Sequence, residues 1–306
     1  MQSIPLENGP VQITGAYDFD RRESGIRPRR LPDWTRIQVQ EFTEAMVTMG
    51  SGIRLEFVTD SDCIQLEVMQ TRLDLGGVPN AVYDLEIDQG EPVTVQAEGG
   101  NLVVMDIKSP AGFRLQHGEA STVVFKDLGN QMKQCALWIP ANAQVELRSL
   151  NISNGASISA VPESDRPKWV HHGSSISHCM EASQPTGTWP VVAARLANVN
   201  VINLGLGGAC HLDQYVARTM RDTPTDFLSL KAGINIVNGD TLRERTFAPA
   251  LHGFIDTIRE GQPDTPFLII SPIYSPPHEK SPGRHCPEKI ARLAQKQDLM
   301  KFVLAA

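Results

Sequence analysis

The chain has 306 residues, enough for two domains, and its 41% apolar and 21% charged residues describe an ordinary folded globular protein. A formal charge of −7 with no basic run argues against nucleic acid as the main partner, and no apolar run reaches the ~18–20 residues of a membrane span. The five cysteines (Cys63, Cys135, Cys179, Cys210 and Cys286) are widely spaced without C-x-x-C and read as reduced thiols; an amino terminus with no basic and apolar leader pattern then predicts a cytoplasmic protein.

Through residues 1–162, short β-rich runs recur between Gly, Pro, Asn and Asp residues: 53–58, 64–69, 82–87, 93–96, 102–107, 122–125, 135–139 and 145–150. Several alternate apolar and polar with period two, as half-buried antiparallel strands do, and no long helical period appears. An all-β sandwich or jelly roll is predicted.

The pattern switches at 162–167, between Pro162 and Pro167, so the predicted domains are 1–162 and 163–306. Strands near 168–172, 200–204, 226–231 and 267–273 then alternate with helices. Thr188 and Pro190 open one helix, and 212–220 forms a second. The third carries Phe247, Leu251, Phe254, Ile255 and Ile258 on one face, where Pro249 is acceptable only near the first turn. Strand 267–273 is apolar throughout, as parallel strands buried on both faces are. Beyond it come a proline-rich loop and one amphipathic helix from Glu288 to Ala306. This alternation predicts a doubly wound α/β domain.

Three strand ends carry chemistry. Gly173-Ser174-Ser175-Ile176 follows the first strand, a glycine-rich turn over Gly205, Gly207 and Gly208 follows the second, and Gly233-Ile234-Asn235 follows the third. A serine fixed by a strand at a helix entrance is where an α/β enzyme holds a nucleophile, with helix N–H groups near a developing oxyanion. In this order the segments resemble the SGNH or GDSL hydrolase family, in a two-domain branch with an amino-terminal β-sandwich. The resemblance implies a flavodoxin-like domain, Ser175 as nucleophile, and the Gly208 N–H and Asn235 amide as oxyanion donors. It further implies an acyl-Ser175 intermediate, with a small-molecule ester or acyl donor as partner: water as acceptor makes an esterase, an alcohol an acyltransferase. No metal or organic cofactor is implied.

Three positions depart from the family pattern. Ser174 stands in place of Asp, Ile236 stands where Asp usually follows Asn, and none of His252, His278 and His285 has Asp three residues before it. The closing Asp-x-x-His block is absent, which leaves the alternative of a catalytically impaired or ligand-binding SGNH-like protein. His278 or His285, oriented by Glu279 or Glu288, is one source of a base, and His178 another.

Ser175 is also a good helix N-cap, and Ser177 in place of glycine excludes a G-x-S-x-G elbow. Gly205-x-Gly207 lacks the third glycine of a dinucleotide site, Cys210 standing there. His171, His172 and His178 have no metal-site spacing. Cys179 and Cys210 read as small buried apolar residues. With four strands where the family sheet has five, strand 267–273 is expected at a sheet edge that favours self-association.

Overall fold

A computed structural model describes residues 1–74, 80–106, 108 and 113–274. The chain forms two compact units.

The first comprises Met1–Asp33, Val47–Asp165 and Cys179–Leu196. Its larger sheet runs in the order 113–116, 101–105, 64–74, 143–152, 25–29, 18–22, with 2–4 also on 143–152 and 121–125 also on 64–74. All its pairs are antiparallel except 64–74 with 101–105. The second sheet, antiparallel, runs 158–159, 54–59, 133–138, 81–87, 93–97, with 12–14 on 54–59.

Period two explains the pairing. Ile64, Leu66, Val68 and Gln70 are buried while Gln65, Glu67 and Met69 are not, and Ser121, Val123 and Phe125 alternate with exposed Thr122 and Val124. The buried faces meet in one core, with Leu55, Phe57, Leu85 and Leu137 from one sheet and Leu66, Val68, Phe125, Leu147 and Ile152 from the other.

Each of the eight predicted runs overlaps a strand, although 53, 106 and 139 fall just outside one and 107 lies outside the described residues. The structure adds strands 2–4, 12–14, 18–22, 25–29, 113–116 and 158–159, and a helix over Glu41–Val47. Strands of two or three residues hold too little period to read, and 113–116 is exposed at all four positions. The helix Trp189–Ala197 and the turn before it are anchored on strand 81–87. Thr186 donates to Asp84 Oδ2 through its N–H (3.0 Å) and its hydroxyl (2.6 Å), and Arg195 pairs with Glu86 at 3.3 Å.

The second unit comprises Trp34–Met46, Arg166–His178 and the chain from Ala197. Besides most of the helix Glu41–Val47, its elements from Arg166 onward are β1 (Lys168–Gly173), α1 (Ser175–His178), β2 (Asn200–Gly205), α2 (Gln214–Asp222), β3 (Phe227–Lys231), α3 (Ile234–Gly239), α4 (Glu244–Arg259) and β4 (Phe267–Ile270). The sheet is parallel in the order β2-β1-β3-β4. Buried Leu251, Phe254 and Ile258 form the inner face of α4, which lies along α2 and joins it through Thr257 Oγ1 to Gln214 Oε1 at 3.0 Å. Among the described residues no helix is long and apolar enough to cross a membrane.

Two expectations are corrected. Pro249 is the sixth residue of α4, beyond the first turn, so the Arg245 carbonyl lacks the bond that an N–H four residues on would give. β4 ends at Ile270 and is only half buried, with Leu268 60% exposed. Among the described residues it pairs with β3 alone, so one of its sides has no neighbour to bury it. The loop and helix expected beyond residue 274 lie outside the described residues.

Candidate active site

The registers set the strand ends side by side: Gly173 of β1 lies opposite Gly205 of β2 and Lys231 of β3. The chain order reverses direction across the sheet at β1, flanked by β2 and β3, and α/β sheets place their sites in the crevice beyond such strand ends. The three predicted residues leave from this edge. Ser175 opens α1, Gly208 lies three residues past β2, and Asn235 is the second residue of α3.

Ser175 is half-buried. It is the first helical residue and not the cap, because the Ser174 carbonyl accepts the first bonds, from Ser177 N–H (3.0 Å) and His178 N–H (2.9 Å). The helix it opens is one turn long and gives way at Cys179, whose φ of +59° is left-handed. Gly205 lets that turn approach: a Cβ there would sit 2.5 Å from the Ser177 carbonyl carbon. Asn203 secures the same junction, donating from Nδ2 to the Ser177 carbonyl (2.8 Å) and accepting from Gly205 N–H (2.9 Å).

Gly208 is exposed, with φ +68°, a conformation that costs glycine nothing. The ring of Phe42, itself 58% exposed, lies against it. Asn235 is buried, and its Oδ1 accepts the Cys210 N–H at 3.1 Å. Only an oxygen accepts from that donor, which fixes the amide orientation and leaves the Nδ2 hydrogens as donors.

The histidines near these ends bind different groups. His171 meets Ser229 Oγ at Nδ1 and Ser177 Oγ at Nε2, each at 2.7 Å. Burial first, then His172 and Lys231, lowers its pKa to about 3. His172 Nδ1 donates to the Leu204 carbonyl at 2.7 Å, and its ring stacks near Phe254. His178, proposed as a base, is fully buried and accepts the Gly207 N–H at Nδ1, 3.1 Å away. His278, His285, Glu279, Glu288 and Cys286 lie outside the described residues. Burial pushes the Cys210 thiol up to about 12 and raises Cys179 as well, which suits small packing residues and not nucleophiles.

Sequence reasoning missed His211 and Thr241. His211 bonds Gly208 and Thr241 from the same turn. A single histidine in a loop, with its partner thirty residues away, offers no spacing signal.

Residues 167–280 match the family model of the GDSL-like Lipase/Acylhydrolase family. No curated protein matches the chain. Among solved structures it is similar to the salicylyl-acyltransferase SsfX3 of a tetracycline biosynthetic pathway, with 25% identity and a TM-score of 0.80, covering 98% of this chain and 81% of that one. A candidate GDSL-like lipase from Bacteroides ovatus is similar at 20% identity and a TM-score of 0.71, over 99% and 84% of the two chains. An active-site mutant of a family two carbohydrate esterase from Clostridium thermocellum follows at 11% and 0.58, over 96% and 85%. The latter two likenesses speak for the fold alone.

Proposed function

We propose, from the match of residues 167–280 to the model of the GDSL-like lipase/acylhydrolase family, that the chain transfers acyl groups by way of Ser175. Ser175 Oγ attacks the ester carbonyl carbon, its proton passes to a base, and the alcohol leaves as the tetrahedral intermediate collapses to acyl-Ser175. Water or a second alcohol then takes the acyl group. The Gly208 N–H and the Asn235 amide donate to the oxyanion, each donor being worth roughly 10²–10³ in rate.

The observation that carries this reading is the bond from Cys210 N–H to Asn235 Oδ1. It turns the Asn235 amide hydrogens into the free end of the side chain, at the strand ends that Ser175 and Gly208 also leave. Similarity to a salicylyl-acyltransferase over 98% of the chain favours acyl transfer over hydrolysis, with a small-molecule acyl donor. We assign residues 1–162 to a jelly-roll-like sandwich domain and 163–306 to the hydrolase-like domain.

A fluorophosphonate probe with p-nitrophenyl acetate turnover tests the mechanism. Ser175 is expected to be the labelled serine, and Ser175→Ala to abolish labelling and turnover together. A serine hydroxyl needs an adjacent base to attack at neutral pH. A wild-type chain that neither labels nor turns over would establish the second reading, a ligand-binding or impaired member. The ring hydrogen bonds that already engage His171, His178 and His211 favour that second reading.

A further inference from the structure

We propose that His211 is a positioning residue that holds the Gly208 turn in the shape an oxyanion donor needs, a role that rests on the acyl-transfer reading above. The N–H in question belongs to the peptide between Gly207 and Gly208, a plane hinged on two glycines and therefore free to rotate unless its neighbours are held. Both neighbours are held by imidazoles. The plane before it is fixed where Gly207 N–H donates to His178 Nδ1 at 3.1 Å. The plane after it is held at both ends, where Ala209 N–H donates to the Leu206 carbonyl at 3.2 Å and where His211 Nε2 reaches the Gly208 carbonyl oxygen at 3.1 Å.

The protons follow from the partners. A carbonyl only accepts, so His211 Nε2 carries the hydrogen, and in the neutral ring Nδ1 accepts from the Thr241 hydroxyl 2.9 Å away. Thr241 stands two residues past the end of α3, where Asp240 turns the chain with φ +48°. At the start of the same helix, Asn235 Oδ1 holds Cys210 N–H. The segment from Gly208 to His211 is thus fastened to both ends of the helix that carries Asn235. The two donors move as one piece, and His211 supplies one of the two fastenings.

The test compares His211→Ala, His211→Gln and Thr241→Val in the full chain. His211→Ala is expected to lower kcat for p-nitrophenyl acetate about tenfold, the scale of one hydrogen bond, with KM within about twofold. Glutamine can donate to the same carbonyl and should restore most of kcat, while Thr241→Val should fall between. Hydrogen exchange gives a readout independent of turnover: residues 206–211 should exchange faster in His211→Ala and return toward the wild-type rate in His211→Gln. Loss confined to KM, a glutamine variant as impaired as alanine, or unchanged exchange at 206–211 would overturn the role of His211 while Ser175 still labels. A wild type that no probe labels would overturn the acyl-transfer reading, and the donor role of Gly208 with it.

Discussion

Asn235 has two faces, and substitution separates them. Its oxygen holds the Cys210 N–H, and its amide hydrogens are the proposed oxyanion donors. Asn235→Asp keeps an acceptor for Cys210 but removes the donor and adds a negative charge, whereas Asn235→Ala removes both functions. Each variant should lose roughly 10²–10³ of turnover. Asn235→Asp alone should keep the slow exchange of the Cys210 amide, read by hydrogen exchange, and unchanged turnover in either would remove Asn235 from the site. At this scale the sequence was informative where chemistry sits on a repeated frame. Ser175, Gly208 and Asn235 each follow a strand, so their order in the chain becomes proximity in a parallel sheet. His211 and Phe42 follow no such rule. Their contacts with the Gly208 turn depend on how a loop closes and where residues 34–46 pack, and periodicity records neither.

Between elements, His171 ties three together: it stands on β1, bonds Ser229 of β3 and bonds Ser177 of α1. Ser229 Oγ also accepts the Trp169 indole N–H at 2.7 Å. Burial keeps this imidazole neutral, its pKa lowered to about 3, while in the unfolded chain it titrates near the ordinary value of about 6.5. Between those values the unfolded state binds more protons, so stability rises with pH and is lost as pH falls through the window. The slope from this one group is at most ~1.4 kcal/mol per pH unit. His171→Gln should therefore be less stable than wild type at pH 7, with the gap narrowing toward pH 4, as urea unfolding at the two pH values would measure. An equal acid loss in both proteins would show that His171 does not titrate on unfolding. The elements themselves were legible in proportion to their length and to burial on one face. Strands such as 64–74 alternate visibly, while 113–116 has no inward face to mark it. For β4 an apolar run suggested burial on both sides, yet a run of Phe267-Leu268-Ile269-Ile270 reads the same at an edge as in the centre of a sheet.

At the scale of the whole molecule, composition changes between Pro162 and Pro167, and the packing changes unit after Asp165. The segments Trp34–Met46 and Cys179–Leu196 each pack with the unit remote from them in sequence, which local composition does not record. The parallel sheet carries the last prediction. Among the described residues β4 bonds only β3, so the N–H and C=O groups of its outer side have no partner strand there. The flank is apolar as well: Leu268 is 60% exposed, Ile273 55% and Tyr274 66%. A flat apolar edge with unpaired backbone groups is a template for another strand, and proteins that avoid such pairing place charge or proline on it. Neither stands within Phe267–Ile270. The chain is therefore expected to self-associate as its concentration rises in light scattering. Leu268→Lys should shift that association to higher concentration without changing the fold, because a charge on an exposed edge opposes docking and not pairing with β3. The amides of 267–270 that point away from β3 should exchange quickly in dilute solution and slow down as the protein associates. A monomer at every concentration, with slow exchange throughout 267–270, would show that this edge is already covered.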